Sequence, residues 1–184
     1  MTLSINHIYG VSGINGSGKS TFIKLISGHL PASSGKIYYN INGKNLPPSI
    51  WYSELSIVAP YTELVQEFTM LEMFTFHKKF KTFRDVNLNF KKFTELINLP
   101  DQKDKPIRFF SSGMKQKLQL GLAILTSTKL LLLDEPTSFL DSSGKAWFGQ
   151  MLKENSLDRI IIIASNDTFD LSFCDSVMQI SDFV

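Results

Sequence analysis

The segment Gly13-Ile-Asn-Gly-Ser-Gly-Lys-Ser20 does most to limit what this chain can become. Before it stands His7-Ile-Tyr-Gly-Val-Ser12, whose apolar and small residues suit a strand, and after it Thr21 to Leu30, whose apolar residues recur at helical spacing. A strand that turns through glycines into a helix curls its backbone so that successive amide N–H groups point inward, with the positive end of the helix behind them. Such a loop accepts phosphate. Gly13, Asn15, Gly16, Ser17 and Gly18 form the expected cradle, and Lys19 brings a mobile positive charge. The Ser20 hydroxyl is suited to Mg²⁺, and Thr21 comes within reach of an α-phosphate.

A second element answers the first. Leu130 to Leu133 is continuously apolar, the pattern of a strand buried in a parallel sheet, and it ends at Asp134-Glu135. Asp134 is placed to hold Mg²⁺ through water, and Glu135 to take a proton from an attacking water. Ile160 to Ala164 repeats the strand pattern, and Gly35 to Gly43 and Leu55 to Ala59 read as further strands, one at an edge. From Thr69 to Ile97 the period turns helical, with Leu71, Phe74, Phe76, Phe80, Phe90 and Phe93 as the expected packing face and the lysines as the solvated one. Helices are expected over 112–126 and 144–153, and a short helix and a strand close the chain. This repeated βαβ order predicts an α/β fold with a parallel, doubly wound sheet.

Composition removes several function classes. A chain of 184 residues has room for one domain, at most divided into lobes, and 43% hydrophobic with 20% charged residues is a globular profile. The formal charge of +2 is too small to argue for a nucleic-acid footprint, which leaves composition silent about partners; no nucleic acid is expected among them. Apolar runs stop far short of the roughly 20 residues that cross a bilayer, and the first residues carry neither a basic region nor an apolar stretch. Cys174, the single cysteine, reads as a core filler in a reducing compartment. His7, His29 and His77 show no metal-ligand spacing.

With the glycine loop and the Asp134-Glu135 strand end in place, Phe110-Ser-Ser-Gly-Met-Lys-Gln-Lys117 completes a resemblance to the ABC ATPases that covers nearly the whole chain. It looks like the ABC signature: Ser111 and Gly113 match its essential positions, while Ser112 and Met114 give it a flavour similar to export-type transporters. Pro136-Thr-Ser-Phe-Leu-Asp141 matches the loop in which Asp141 communicates across a dimer. The resemblance implies a P-loop NTPase fold: a mostly parallel sheet, a shortened antiparallel β subdomain and an inserted helical subdomain. It places the nucleotide core at 1–60 and 125–184 and the helical subdomain, with the signature, at 61–124. It implies ATP and Mg²⁺, and a head-to-tail dimer of ABC subunits in which the signature of one copy grips the nucleotide of the other. It also implies an integral membrane transporter subunit as partner, and hence a cytoplasmic protein held at the inner face of the membrane.

Three positions depart from the family pattern. Pro60, in Ile57-Val-Ala-Pro-Tyr61, stands where a glutamine contacts metal and water, leaving Glu63 or Glu67 as substitutes. Asn166, in Ser165-Asn-Asp167, stands where the family has a switch histidine; it can hydrogen-bond a γ-phosphate without carrying charge, so slow hydrolysis is expected. The start reads as shortened, without the upstream strands and the aromatic that stacks on adenine, and Tyr9 reads as core. Three functions follow in order: the ATPase of an export-type transporter, a slow cassette acting as an ATP-dependent dimerisation switch, and a soluble ABC protein without a membrane component.

Overall fold

The computed structural model describes residues 1–100 and 102–183. In chain order its elements are β1 (His7–Ser12), α1 (Lys19–Ile26), β2 (Tyr39–Ile41), β3 (Lys44–Leu46), α2 (Trp51–Glu54), β4 (Leu55–Val58) and α3 (Met70–Phe80). There follow α4 (Phe90–Leu96), α5 (Ser112–Leu125), β5 (Leu130–Asp134), α6 (Ser142–Glu154), β6 (Ile160–Ala164), α7 (Thr168–Leu171) and β7 (Ser176–Gln179). They pack as two compact units, one of Met1–Ala59, Thr128–Glu135 and the segment from Ser156 onward, the other of Pro60–Ser127 and Pro136–Asn155.

The first unit is built on a sheet of order β4-β5-β6-β1-β7, and every neighbouring pair runs parallel. Leu130, Leu132 and Ile162 join Val11 and Ile23 of α1 in one core cluster, while Leu131, Leu133, Ile161 and Ile163, on the opposite face, are also fully buried. Burial on both faces is what a run of leucines or isoleucines without polar alternation requires. Helix α1 starts at Lys19 and ends at Ile26, short of the expected Leu30, because Gly28 takes φ 78° and its N–H turns back to Leu25. The expected strand from Gly35 to Gly43 is instead half of a hairpin. Asn42 and Gly43 adopt φ 52° and 78°, the paired left-handed residues of a tight turn, and fold β2 against β3.

The second unit is helical and aromatic. Thr69 caps α3 through a reciprocal pair with Glu72, and Asn89 caps α4. Phe74 stacks on Phe83 at 5.3 Å between centroids and tilts against Phe93 at 5.0 Å, and all three rings are buried. A side chain on Gly121 of α5 would collide with Ile97, so this glycine sets how closely α5 approaches the end of α4. The expected packing face is only partly correct: Phe76 and Phe80 are 39% and 67% exposed, because they lie nearly half a turn and about a third of a turn from Phe74 around α3. Residues 136–155, expected with the nucleotide core, belong to this unit. Trp147 Nε1 of α6 donates to Leu96 O at 2.7 Å, and Gln116 Nε2 donates to Pro136 O at 2.7 Å.

His77 gives this unit a pH dependence. Burial first, and then the charge of Lys81, pull its pKa down to about 4, and the neutral ring shares a 2.7 Å hydrogen bond with Thr126 Oγ1 and stacks on Phe83. The unfolded chain therefore binds a proton that the folded chain refuses between about pH 6.5 and 4, so this stabilising contribution is complete above that window and is lost as pH falls through it. Denaturant unfolding of the wild type is expected to show a loss of about 2 kcal/mol between pH 7 and 5 that His77→Gln lacks; equal losses in both would contradict it. Among the described residues no helix is long and apolar enough to cross a membrane.

Candidate functional site

Strand register gathers the site. Ala164 pairs with both Val11 and Asp134, so β1, β5 and β6 end at one edge of the sheet. Glu135 N donates to Ala164 O at 2.8 Å and Ser165 N to Val11 O at 3.1 Å, which ties the three following loops together. This edge, beyond the carboxyl ends of parallel strands, is where α/β sheets bind ligands.

After β1 the chain makes the glycine loop. A Cβ on Gly13 would sit 2.6 Å from Ser17 Oγ, and Gly18 leads into α1 at φ 105°, a conformation side chains disfavour. No side chain caps α1 and its first turn holds no acidic residue, so its N-terminal amides face the loop with their charge uncompensated. Lys19 is buried; its ammonium donates to Gly13 O at 2.7 Å and Ile14 O at 3.3 Å and lies 3.8 Å from Glu135 Oε1. Ser20 and Thr21 are exposed at the start of α1.

Asp134 is 1% exposed, and both its carboxylate oxygens are buried without a hydrogen-bond partner of good geometry. Burial raises its pKa above the ordinary carboxylate value, while the Ser20 hydroxyl, Lys19 and Lys24 pull the other way. Ser17 Oγ is buried and unpaired in the same manner. Glu135 adopts φ 50°, a left-handed conformation that costs a glutamate on the order of 1 kcal/mol and persists only where its surroundings hold it. Asn166 Nδ2 donates to Asn15 Oδ1 at 3.0 Å, which joins the loop after β6 to the glycine loop.

The structure thus brings Gly13 to Thr21, Asp134, Glu135 and Asn166 into the first unit. Ser111, Ser112, Gly113, Met114 and Asp141 lie in the second. Ser111 caps α5, its hydroxyl accepting from Met114 N at 3.2 Å, and a Cβ on Gly113 would come 3.1 Å from Phe139 O. Asp141 caps α6, accepting from Gly144 N at 2.7 Å and Ser143 Oγ at 2.9 Å; these bonds, the backbone one first, hold its pKa below the usual range. Glu63 and Glu67 are exposed in the second unit. Tyr9 packs against the core of the first, its hydroxyl accepting from Ser4 N at 3.0 Å. Sequence reasoning gave no role to Ser165, whose hydroxyl contacts Glu135 and Asp170. A serine just after an apolar strand looks like an ordinary turn residue, and only the strand register shows what it faces.

A glycine loop feeding a helix, a buried lysine and a strand-end carboxylate pair lie together on a parallel α/β sheet, the arrangement of the phosphate-binding loop class. Residues 1–138 match the family described as ABC transporter, and the chain belongs to that family of ATP-binding domains, which are ATPases. It is 30% identical over 180 residues to the uncharacterized ABC transporter ATP-binding protein YybJ of Bacillus subtilis (strain 168), covering 95% of this chain and 80% of that protein. It is 28% identical over 158 residues to the phospholipid-transporting ATPase ABCA3 of Mus musculus, covering 84% of this chain and only 9% of the mouse protein. A putative ABC transporter ATP-binding protein of Pyrococcus furiosus shares the fold, with a TM-score of 0.80 at 22% identity over 99% of this chain and 88% of that one.

Proposed function

We propose that this ATP-binding subunit drives an export-type ABC transporter by hydrolysing ATP in a head-to-tail dimer, docked on a separate membrane subunit at the cytoplasmic face. One observation carries the reading. Both oxygens of the buried Asp134 lack a hydrogen bond of good geometry, with only the Ser20 hydroxyl, Lys19 and Lys24 to offset their burial, beside Glu135. A buried carboxylate so weakly satisfied is costly in a protein that binds nothing there. Among the described residues no three His, Cys, Asp or Glu side chains converge as metal ligands. Asp134 and the Ser20 hydroxyl, all oxygen donors, fit a cation that takes its remaining ligands from phosphate and water, the habit of Mg²⁺. When bound, Mg²⁺ supplies charge neutralisation for the phosphates.

The protein's own residues carry the remaining steps. Amides from Gly13 to Ser20 and the start of α1 bind the phosphates, and Lys19 exchanges its carbonyl partners for them. Glu135 accepts a proton from the attacking water, and Asn166 donates to the terminal phosphate without adding charge. Ser111, Ser112, Gly113, Met114 and Asp141 act on the nucleotide of the second copy. Support for the export reading is the character of the segment around Met114 and the likeness to a phospholipid-transporting ATPase.

Dimer closure has its own test. Glu135→Gln protein with ATP and Mg²⁺ is expected to elute at twice the monomer mass, and to return to monomer mass when Ser111→Arg is added; monomer throughout would overturn the dimer. The neutral Asn166 favours a second reading, a slow dimerisation switch, which the turnover of Glu135→Gln separates from an enzyme.

A further inference from the structure

We propose that Ser165 is a positioning residue that holds the Glu135 carboxylate in place for proton abstraction. The proposal rests on the reading of Glu135 as the base.

Ser165 is fully buried at the end of β6, its backbone fixed by the bond to Val11 O. Its hydroxyl lies 3.0 Å from Glu135 Oε2 and 2.8 Å from Asp170 Oδ2, and it accepts from Asp167 N at 3.0 Å. A hydroxyl has one proton to donate and two lone pairs. With the Asp167 N–H on one lone pair, the single O–H serves one of two carboxylates at a time. Asp170, 1% exposed on α7, is the alternative acceptor and competes with Glu135 for that proton. When the proton turns to Glu135 it holds Oε2, while the Lys19 ammonium lies 3.8 Å from Oε1.

The grip matters because Glu135 stands on backbone at φ 50°, where its side chain leaves the strand in an uncommon direction and needs a partner to keep it there. Asn166, in the switch position, turns its amide to Asn15. The hold on the base comes from the residue before it. A purely structural role for Ser165, closing the turn into α7 through Asp167 N, predicts lost stability; a positioning role predicts lost turnover that depends on Glu135.

The test is a double-mutant cycle on the full chain, reading ATP turnover against ATP concentration with Mg²⁺. Ser165→Ala is expected to lower kcat by about tenfold or more, since small misplacements of a reacting group cost this much, with KM for ATP nearly unchanged. In the Glu135→Gln background the same change is expected to do nothing further to the residual rate. Wild-type kcat in Ser165→Ala overturns the proposal, as does a loss that persists in full without Glu135. A wild-type rate in Glu135→Gln alone overturns the base assignment itself and the proposal with it.

Discussion

Glu135→Gln lowers ATP turnover by about 10²–10⁴-fold, the range that a positioned acid or base contributes, while ATP affinity stays near that of the wild type. Glutamine keeps the length and hydrogen-bonding shape of the side chain, so contact with Ser165 at Oε2 has a counterpart in the amide. What it loses is the ability to accept a proton from water. The neighbouring Asp134 is untouched, and the β5–β6 ladder that presents both residues does not depend on the Glu135 side chain. Phosphate release under saturating ATP and Mg²⁺ measures the effect. Equal rates in variant and wild type would remove the hydrolytic role and leave the dimerisation switch.

Lys19→Ala acts one step earlier and is expected to weaken both binding and hydrolysis, with turnover down by about 100-fold or more, the scale of losing one preorganised charge or donor at a reacting group. Lys19 is buried, and its ammonium is held by the loop's own carbonyls at Gly13 and Ile14. Those bonds store the charge within the loop, close to where terminal phosphates arrive, so that binding exchanges partners for a charge already desolvated. Titration of a fluorescent ATP analogue, with thermal melting beside it, separates lost affinity from lost folding. Unchanged affinity in a folded variant would place the phosphates elsewhere.

Much of this site is readable from sequence because its spacing is local. Gly13 to Ser20 is continuous, and the leucines before Asp134 announce a buried strand whose polar end must face something charged. The order of elements is likewise periodic and local, which is why β1 and β6 lie where the pattern puts them. What fails is decided by turns or by distant packing. The Asn42-Gly43 turn folds an apparent strand back on itself, and Gly28 ends α1 before the apolar period stops. Phe80 belongs to the helical stretch that the pattern marks yet points to solvent, because six residues from Phe74 it lies on another side of α3 from the contacts with Phe83 and Phe93. Pro136 to Asn155 joins the helical unit through Trp147 and Gln116, contacts without any trace in the residues nearby. Ser165 matters through an oxygen brought close by register, thirty positions along the chain from Glu135.

Calorimetric titration of the wild-type chain with ATP and with AMP, each with and without Mg²⁺, tests the placement of phosphate recognition in the Gly13 to Ser20 loop most directly. One saturable site for ATP per chain is expected, tightened by Mg²⁺ and much weaker for AMP, because binding energy comes from the terminal phosphates. Equal affinity for ATP and AMP, or no saturable binding of ATP, would contradict it.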